Sequence, residues 1–231
     1  RSEMCIRDSA SVSWTLGVPD GEGLDRVRAL AQTALIAGAV GLPVTADLES
    51  GFADSAEGVG ETVTELLATG AVGMNLEDGT RSAAEAAERV AAARAAADRA
   101  GVPLFLNART DIFLRGIGDP EGRLDEAVSR ARAFIEAGAD GIFVPGVEDA
   151  ATIAALVEAL PVPLNVMAGP GAPSIPELAK LGVARISLGP GLAKVAYAAV
   201  ERAAREVYAT GTYEALAGGL DYGRLNGLFE G

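Results

Sequence analysis

The chain has 231 residues, the size of one large domain, and a formal net charge of -13 that argues against nucleic-acid or anionic-membrane partners. It contains no histidine and one cysteine, which excludes His-dependent triads, His-ligated zinc, Cys-rich metal sites and an internal disulfide. No apolar run approaches about 18 residues, so a transmembrane helix is excluded, and any metal must be held by oxygen, as Mg²⁺ or Mn²⁺ is.

Residues 1–9, Arg-Ser-Glu-Met-Cys-Ile-Arg-Asp-Ser, show neither a signal-peptide core nor strand alternation, and are expected to be a non-native segment. From residue 10 one unit repeats: a helical pattern closes on a small-residue turn, and a short β-rich run then ends in a polar cluster. The β-rich runs are 11–16, 43–48, 72–76, 103–108, 141–145, 163–167 and 184–188. The helical patterns are 24–37, 55–69, 83–100, 120–137, 150–159, 175–181 and 191–209. Asp54 with Glu57, Ser82 with Glu85 and Ser174 with Glu177 have capping-box spacing. Gly70, Gly101, Gly138 and Gly182 suit the left-handed position that follows a helix. Residues 210–231 carry Tyr, Leu and Phe at helical spacing. They are expected to form a helical tail that packs across the 10–209 domain or on a neighbouring subunit.

Strands alternating with helices, without hairpin signals, imply parallel strands with helical crossovers. No run ends in the Gly-x-Gly-x-x-Gly turn of a dinucleotide fold, and the regular repeat favours a (βα)₈ TIM barrel. Seven runs are one short of eight, so the expected architecture is such a barrel lacking its first βα unit.

Reactive groups in a barrel sit at the C-terminal ends of its strands. Those ends read Asp20; Asp47 and Glu49; Asn75, Glu77 and Asp78; Asn107, Arg109 and Asp111; Pro145-Gly146; Asn165; and Ser187. Asp47 and Glu49 are two residues apart and face one side of a strand. Buried together they repel unless a cation lies between them. For that pair alone a helix cap beside a solvated loop acid is an equal reading, but acids on three successive loops of one barrel mouth suggest an oxygen-ligated divalent cation. Arg109 would then neutralise a substrate carboxylate through paired hydrogen bonds. Gly169-Pro170-Gly171 reads more simply as a rigid turn than as a phosphate cradle. Trp14 reads as a core or mouth-lining aromatic, and Arg115 and Lys194 read as surface charges.

Ala46-Asp-Leu-Glu-Ser-Gly-Phe52 resembles the Asp-x-Asp-x-Gly-Tyr/Phe-Gly motif of the isocitrate lyase/phosphoenolpyruvate mutase superfamily. Residues 16–20, 73–78, 107–111 and 138–145 are similar to that superfamily's other blocks, in the same order. The resemblance runs from Ala10 to the C-terminus. It implies that Asp47 holds Mg²⁺ (or Mn²⁺) most directly, with Glu49, Glu77 and Asp20 supporting it largely through water. It also implies catalytic roles for Arg109 and Glu77, and substrate contacts from Arg109, Asn107, Asn165 and a Ser-rich stretch represented here by Ser11. The chemistry implied is cleavage or formation of C–C or P–C bonds through an enolate-type species.

Departures from the pattern narrow the expectation. Glu49 replaces the usual second Asp. The segment 77–81 enters a helix almost directly, without the lyases' Cys-bearing gating loop, and Gly146 stands where lyases tend to have Glu. A short gate suits a decarboxylase or hydrolase of small oxo-acids. The resulting expectation is a Mg²⁺-dependent C–C lyase for a small α-oxo or hydroxy carboxylic acid, oxaloacetate decarboxylase-like or 2-methylisocitrate lyase-like. The alternatives are phosphonomutase or phosphonate-hydrolase chemistry, and an inactive truncated barrel. A cytoplasmic homo-oligomer assembled through the C-terminal helices is expected, with no nucleic-acid or membrane partner.

Overall fold

The structure, a computed structural model, describes residues 5–228, with side chains from Asp8 onward. Seven parallel strands pair in sequence order: β1 (Cys5–Arg7), β2 (Val44–Asp47), β3 (Gly73–Glu77), β4 (Phe105–Arg109), β5 (Gly141–Val144), β6 (Leu164–Met167) and β7 (Arg185–Ser187). The helices are α1 (Ser9–Thr15), α2 (Arg26–Ala39), α3 (Ala56–Leu67), α4 (Ala83–Ala100), α5 (Arg123–Glu136), α6 (Ala150–Ala159), α7 (Ile175–Lys180), α8 (Gly191–Thr210) and α9 (Tyr222–Gly227). A strand order that never reverses belongs to a (βα) barrel wall; a doubly wound sheet reverses at a switch point. Among the described residues β1 and β7 are the two ends of the sheet.

The period of two along each strand divides the residues between two layers. Ala46, Leu48, Met74, Leu76, Leu106, Ala108, Ile142, Val144, Leu164 and Val166 pack against Val59, Val63, Leu66, Val90, Phe134, Ile153 and Leu156 of the helices in one apolar cluster. Each large side chain buried there contributes roughly 1.5–3 kcal/mol. The alternate residues, Asp47, Asn75, Glu77, Asn107, Arg109, Asn165 and Ser187, are nearly all polar and lie on the other face. Two glycines allow close packing around Phe105 on that face. A Cβ at Gly73 would lie 2.7 Å from Thr45 Cγ2 and 2.9 Å from Phe105 O, and one at Gly141 would lie 2.9 Å from Phe105 Cζ.

Local chemistry explains most boundaries. Ser82 with Glu85 and Ser174 with Glu177 form the expected capping boxes, and Gly70, Gly101, Gly138 and Gly182 all have positive φ. Three expectations need correction. Residues 11–15 are helical and Leu16 caps that helix, because Asp8 starts α1 by accepting from Ser11 N–H at 2.8 Å. Residues 5–9 therefore belong to the fold, as β1 and the start of α1, rather than standing outside it; residues 1–4 of that segment lie outside the described residues. The cap of α3 is Ser55, which accepts from Gly58 N–H at 3.2 Å, and not Asp54.

The chain divides into two compact units, one ending at Gly189 and one beginning at Pro190, so α8 groups with the tail. In the second unit α8 buries none of its residues. Glu206 ties the tail back to α8, accepting from Thr212 Oγ1 at 2.6 Å and from Glu214 and Ala215 N–H at 2.7 Å. No helix among the described residues is long and apolar enough to cross a membrane.

Candidate active site

The exit of β2 carries the acids. Asp47 and Glu49 are both buried, and the chain after them turns through positive φ at Glu49 (52°), Gly51 (98°) and Phe52 (51°). Two non-glycine residues in the left-handed region cost free energy and persist only where the surroundings hold them. Arg89 of α4 supplies that hold. Its guanidinium donates to the carbonyls of Ser50 (2.9 Å), Ala53 (3.0 Å) and Asp54 (2.8 Å).

Ser9 at the start of α1, with Asp20 and Glu22 in the segment after α1, closes over these acids. Ser9 Oγ lies 3.0 Å from Asp47 Oδ2 and 3.2 Å from Asp20 Oδ1, so one hydroxyl proton serves two carboxylates. Glu22, also at positive φ, donates its N–H to Glu49 Oε2 and accepts from Ser50 Oγ through Oε1. Burial first, then the charges of Asp20, Asp47 and Glu22, push the Glu49 carboxyl up to about 7 against the pull of the Glu22 N–H. Glu49 Oε1 is buried without a hydrogen-bond partner.

Arginines face the acids from β4. Arg109 Nη1 pairs with Glu77 Oε2 at 2.8 Å, its Nε with Asp111 Oδ1 at 2.7 Å, and its guanidinium lies 5.8 Å from the centre of the Phe143 ring. Burial pushes Glu77 up to about 8, with Asp111 and Asp47 adding to the push and Arg109 opposing it. Burial alone would lower the Arg109 pKa, but Glu77, Asp47 and Asp111 together raise it, so Arg109 stays charged. Asp111 is itself fixed from behind. Its N–H donates to Asp78 Oδ1 at 2.8 Å, and Asp78 Oδ2 accepts from Thr110 Oγ1 (2.8 Å) and Arg130 Nη1 (3.0 Å). Deeper on the same face Asn107 Nδ2 donates to Asn75 Oδ1 (2.8 Å) and Asn165 Oδ1 (3.1 Å), while Asn165 Nδ2 donates to Ser187 Oγ (3.0 Å).

The structure therefore brings Asp20, Asp47, Glu49, Glu77 and Arg109 to one place. Asn107 and Asn165 lie in the polar ladder on the same face, bonded to one another. Ser11 is not brought to the acids: its N–H and Oγ are spent on Asp8, and Ser9 makes the contact instead. Arg115, read from sequence as a surface charge, pairs with Asp111 and Glu77. Glu22 and Arg89 carried no sequence signal, because their partners lie 27 to 39 residues away.

Among the described residues no group of three such side chains could ligate a cation together. Mg²⁺ does not require one, since it retains several waters and binds through one or two carboxylates. The all-oxygen donor set and the orphaned Glu49 Oε1 fit that ion.

The family model for phosphoenolpyruvate phosphomutase matches residues 6–208, starting inside the segment expected to be foreign. A solved structure of a candidate lyase/mutase from Burkholderia cenocepacia J2315 superposes with a TM-score of 0.91 at 37% identity, covering 99% of this chain and 84% of that one. Phosphonopyruvate hydrolase in complex with oxalate and Mg²⁺ superposes with a TM-score of 0.81 at 27% identity, over 97% of this chain and 82% of the other. Oxaloacetate decarboxylase 2 of Pseudomonas fluorescens (strain Pf0-1) is 31% identical over 185 residues, 75% of this chain and 60% of that protein's length. On the match of the family model and these relatives, the chain belongs to the isocitrate lyase/phosphoenolpyruvate mutase superfamily.

Proposed function

We propose that the chain is a Mg²⁺-dependent (or Mn²⁺-dependent) carbon–carbon lyase for a small α-oxo or hydroxy carboxylic acid, acting as oxaloacetate decarboxylase or 2-methylisocitrate lyase does. The observation that carries this reading is a buried carboxylate oxygen, Glu49 Oε1, left without a partner among Asp20, Glu22 and Asp47 and opposite a charged Arg109. Asp47 is the direct ligand, with Glu49, Asp20 and Glu77 supporting through water. The bound cation supplies Lewis-acid stabilisation for negative charge developing on a substrate oxygen.

The chain's own residues do the rest. Arg109 has Nη2 to spare and takes the substrate's α-oxo carboxylate. Glu77 Oε2 accepts from Arg109, and burial raises its carboxyl to about 8 in the metal-free site, so Glu77 is the group suited to deliver a proton to the carbon that loses its bond. Phe143 and the Asn75–Asn107–Asn165 ladder floor the site. The α8 helix, with Leu192, Val195, Val200 and Val207 exposed, is proposed to be covered by a second copy in a cytoplasmic homo-oligomer.

Mg²⁺ titration calorimetry, with assays of product release from oxaloacetate and methylisocitrate, tests the reading. Asp47→Ala should weaken metal binding and turnover by more than about 100-fold. The absence of Mg²⁺ binding, together with no effect of Asp47→Ala, overturns it. Phosphate release from phosphonopyruvate, with oxaloacetate left intact, would transfer the site to P–C chemistry, and Mg²⁺ binding with no turnover of any of these would favour an inactive barrel.

A further inference from the structure

The mouth contains a second guanidinium that the chemistry above leaves unused. Arg115 lies one turn beyond Asp111, and its backbone N–H donates to Asp111 O at 2.9 Å. Its Nε donates to Asp111 Oδ2 at 2.8 Å, and its Nη2 stands 3.7 Å from Glu77 Oε1. Asp111 therefore carries one arginine on each oxygen, Arg109 on Oδ1 and Arg115 on Oδ2.

That bridge is rigid. The Asp111 side chain is fully buried, and its backbone is held by Asp78, which Arg130 and Thr110 hold in turn. Two like charges that would separate in water are thus kept one carboxylate apart. Arg109 is shared between Asp111 and Glu77, and Arg115 reaches the same two acids from the more exposed side. Among the described residues neither Arg109 Nη2 nor Arg115 Nη1 has a protein partner. The two side chains also differ in depth, since Arg109 is 14% exposed and Arg115 47%. Together they present an inner and an outer set of N–H donors along one wall of the mouth.

We propose that Arg115 binds a second acidic group, carboxylate or phosphonate, at the end of the substrate remote from the carboxylate held by Arg109. Arg115 is then the specificity-determining residue that makes the site prefer a dianionic α-oxo acid over a monoanionic one. A planar guanidinium matches either group through paired hydrogen bonds, which an ammonium cannot reproduce. The inference rests on the reading of Arg109 as the α-oxo-carboxylate anchor.

The test compares pyruvate with two dianions of the same α-oxo-carboxylate head, 3,3-difluorooxaloacetate and phosphonopyruvate, by calorimetry on the full chain with Mg²⁺. Arg115→Gln should weaken at least one dianion by about tenfold or more while changing pyruvate by less than about twofold, and Arg115→Lys should restore part of the loss. The dianion that suffers more identifies the group. Equal weakening of pyruvate and both dianions would assign Arg115 a structural role through Asp111, and no weakening of either dianion would leave it a surface charge; both results overturn the proposal. If the wild-type chain binds no pyruvate with Mg²⁺, or Arg109→Gln leaves pyruvate binding intact, the underlying assignment of the site fails instead.

Discussion

At the scale of single residues, burial and like charge govern the site more than any one contact does. With no cation bound, folded Glu49 holds a proton up to about 7, whereas an exposed carboxyl releases it near 4.5. The folded state therefore binds more protons between those values, and its stability falls as pH rises across that window. In a chelator, Tm should decline from about pH 4.5 to about 8, Glu49 contributing up to about 7 and Glu77 up to about 8. Glu49→Gln should flatten the decline, and added Mg²⁺ should raise Tm at the upper end more for the wild-type chain than for this variant. A Glu49→Gln protein with the same slope as wild type would refute the assignment. The buried Asp78–Arg130 pair makes a separate case. Arg130→Leu leaves the Asp78 charge uncompensated and should cost about 3–5 kcal/mol in urea unfolding. Adding Asp78→Asn should recover part of that loss, because the stranded charge is gone. Burial raises the Asp78 pKa despite these partners, so the single variant should also lose less stability at acid pH than at neutral pH.

At the scale of elements, strand ends and the helices behind them set the geometry. The loop after β2 holds two left-handed non-glycine residues under the Arg89 guanidinium. Arg89→Met should weaken Mg²⁺ binding by about tenfold or more, although Arg89 touches no ligand, and titration calorimetry at a temperature well below the variant's Tm would show it. Undiminished affinity would mean that the loop keeps its shape unaided. In the strand layer, Gly141→Ala should cost about 1–3 kcal/mol, because the new methyl meets the Phe105 ring. Pairing it with Phe105→Leu should make the two losses less than additive. The helices were largely legible in sequence: 83–100 and 150–159 match α4 and α6 end to end. Their caps and their 3.6-residue periodicity are written within a few neighbouring residues. β1 was not legible, since three residues are too few to show alternation and their hydrogen bonds go to residues near 45.

At the scale of the whole molecule, the two compact units make different demands. The unit ending at Gly189 has its own apolar cluster between sheet and helices. The unit beginning at Pro190 exposes Leu192, Val195, Val200 and Val207 along α8. Successive positions are three, five and seven residues apart, which keeps them on one helix face. Val195→Glu with Val200→Glu should shift the protein to a smaller species in light scattering if a second copy covers that face. An unchanged mass would remove α8 from the interface.

The sequence by itself determined the parallel α/β class, the family, and Asp47, Glu49, Glu77 and Arg109 as the groups at the strand ends. Each follows from period, capping or an ordered motif, all carried by residues close together in the chain. Tertiary structure alone decided which side chains meet there. Ser9 rather than Ser11 reaches Asp47 from 38 positions away, Glu22 closes on Glu49 from 27, and Arg115 becomes part of the mouth. Those choices depend on strand register and on the height of each loop above the sheet. Hydrogen bonds between distant strands set both, and no local pattern of residues encodes them.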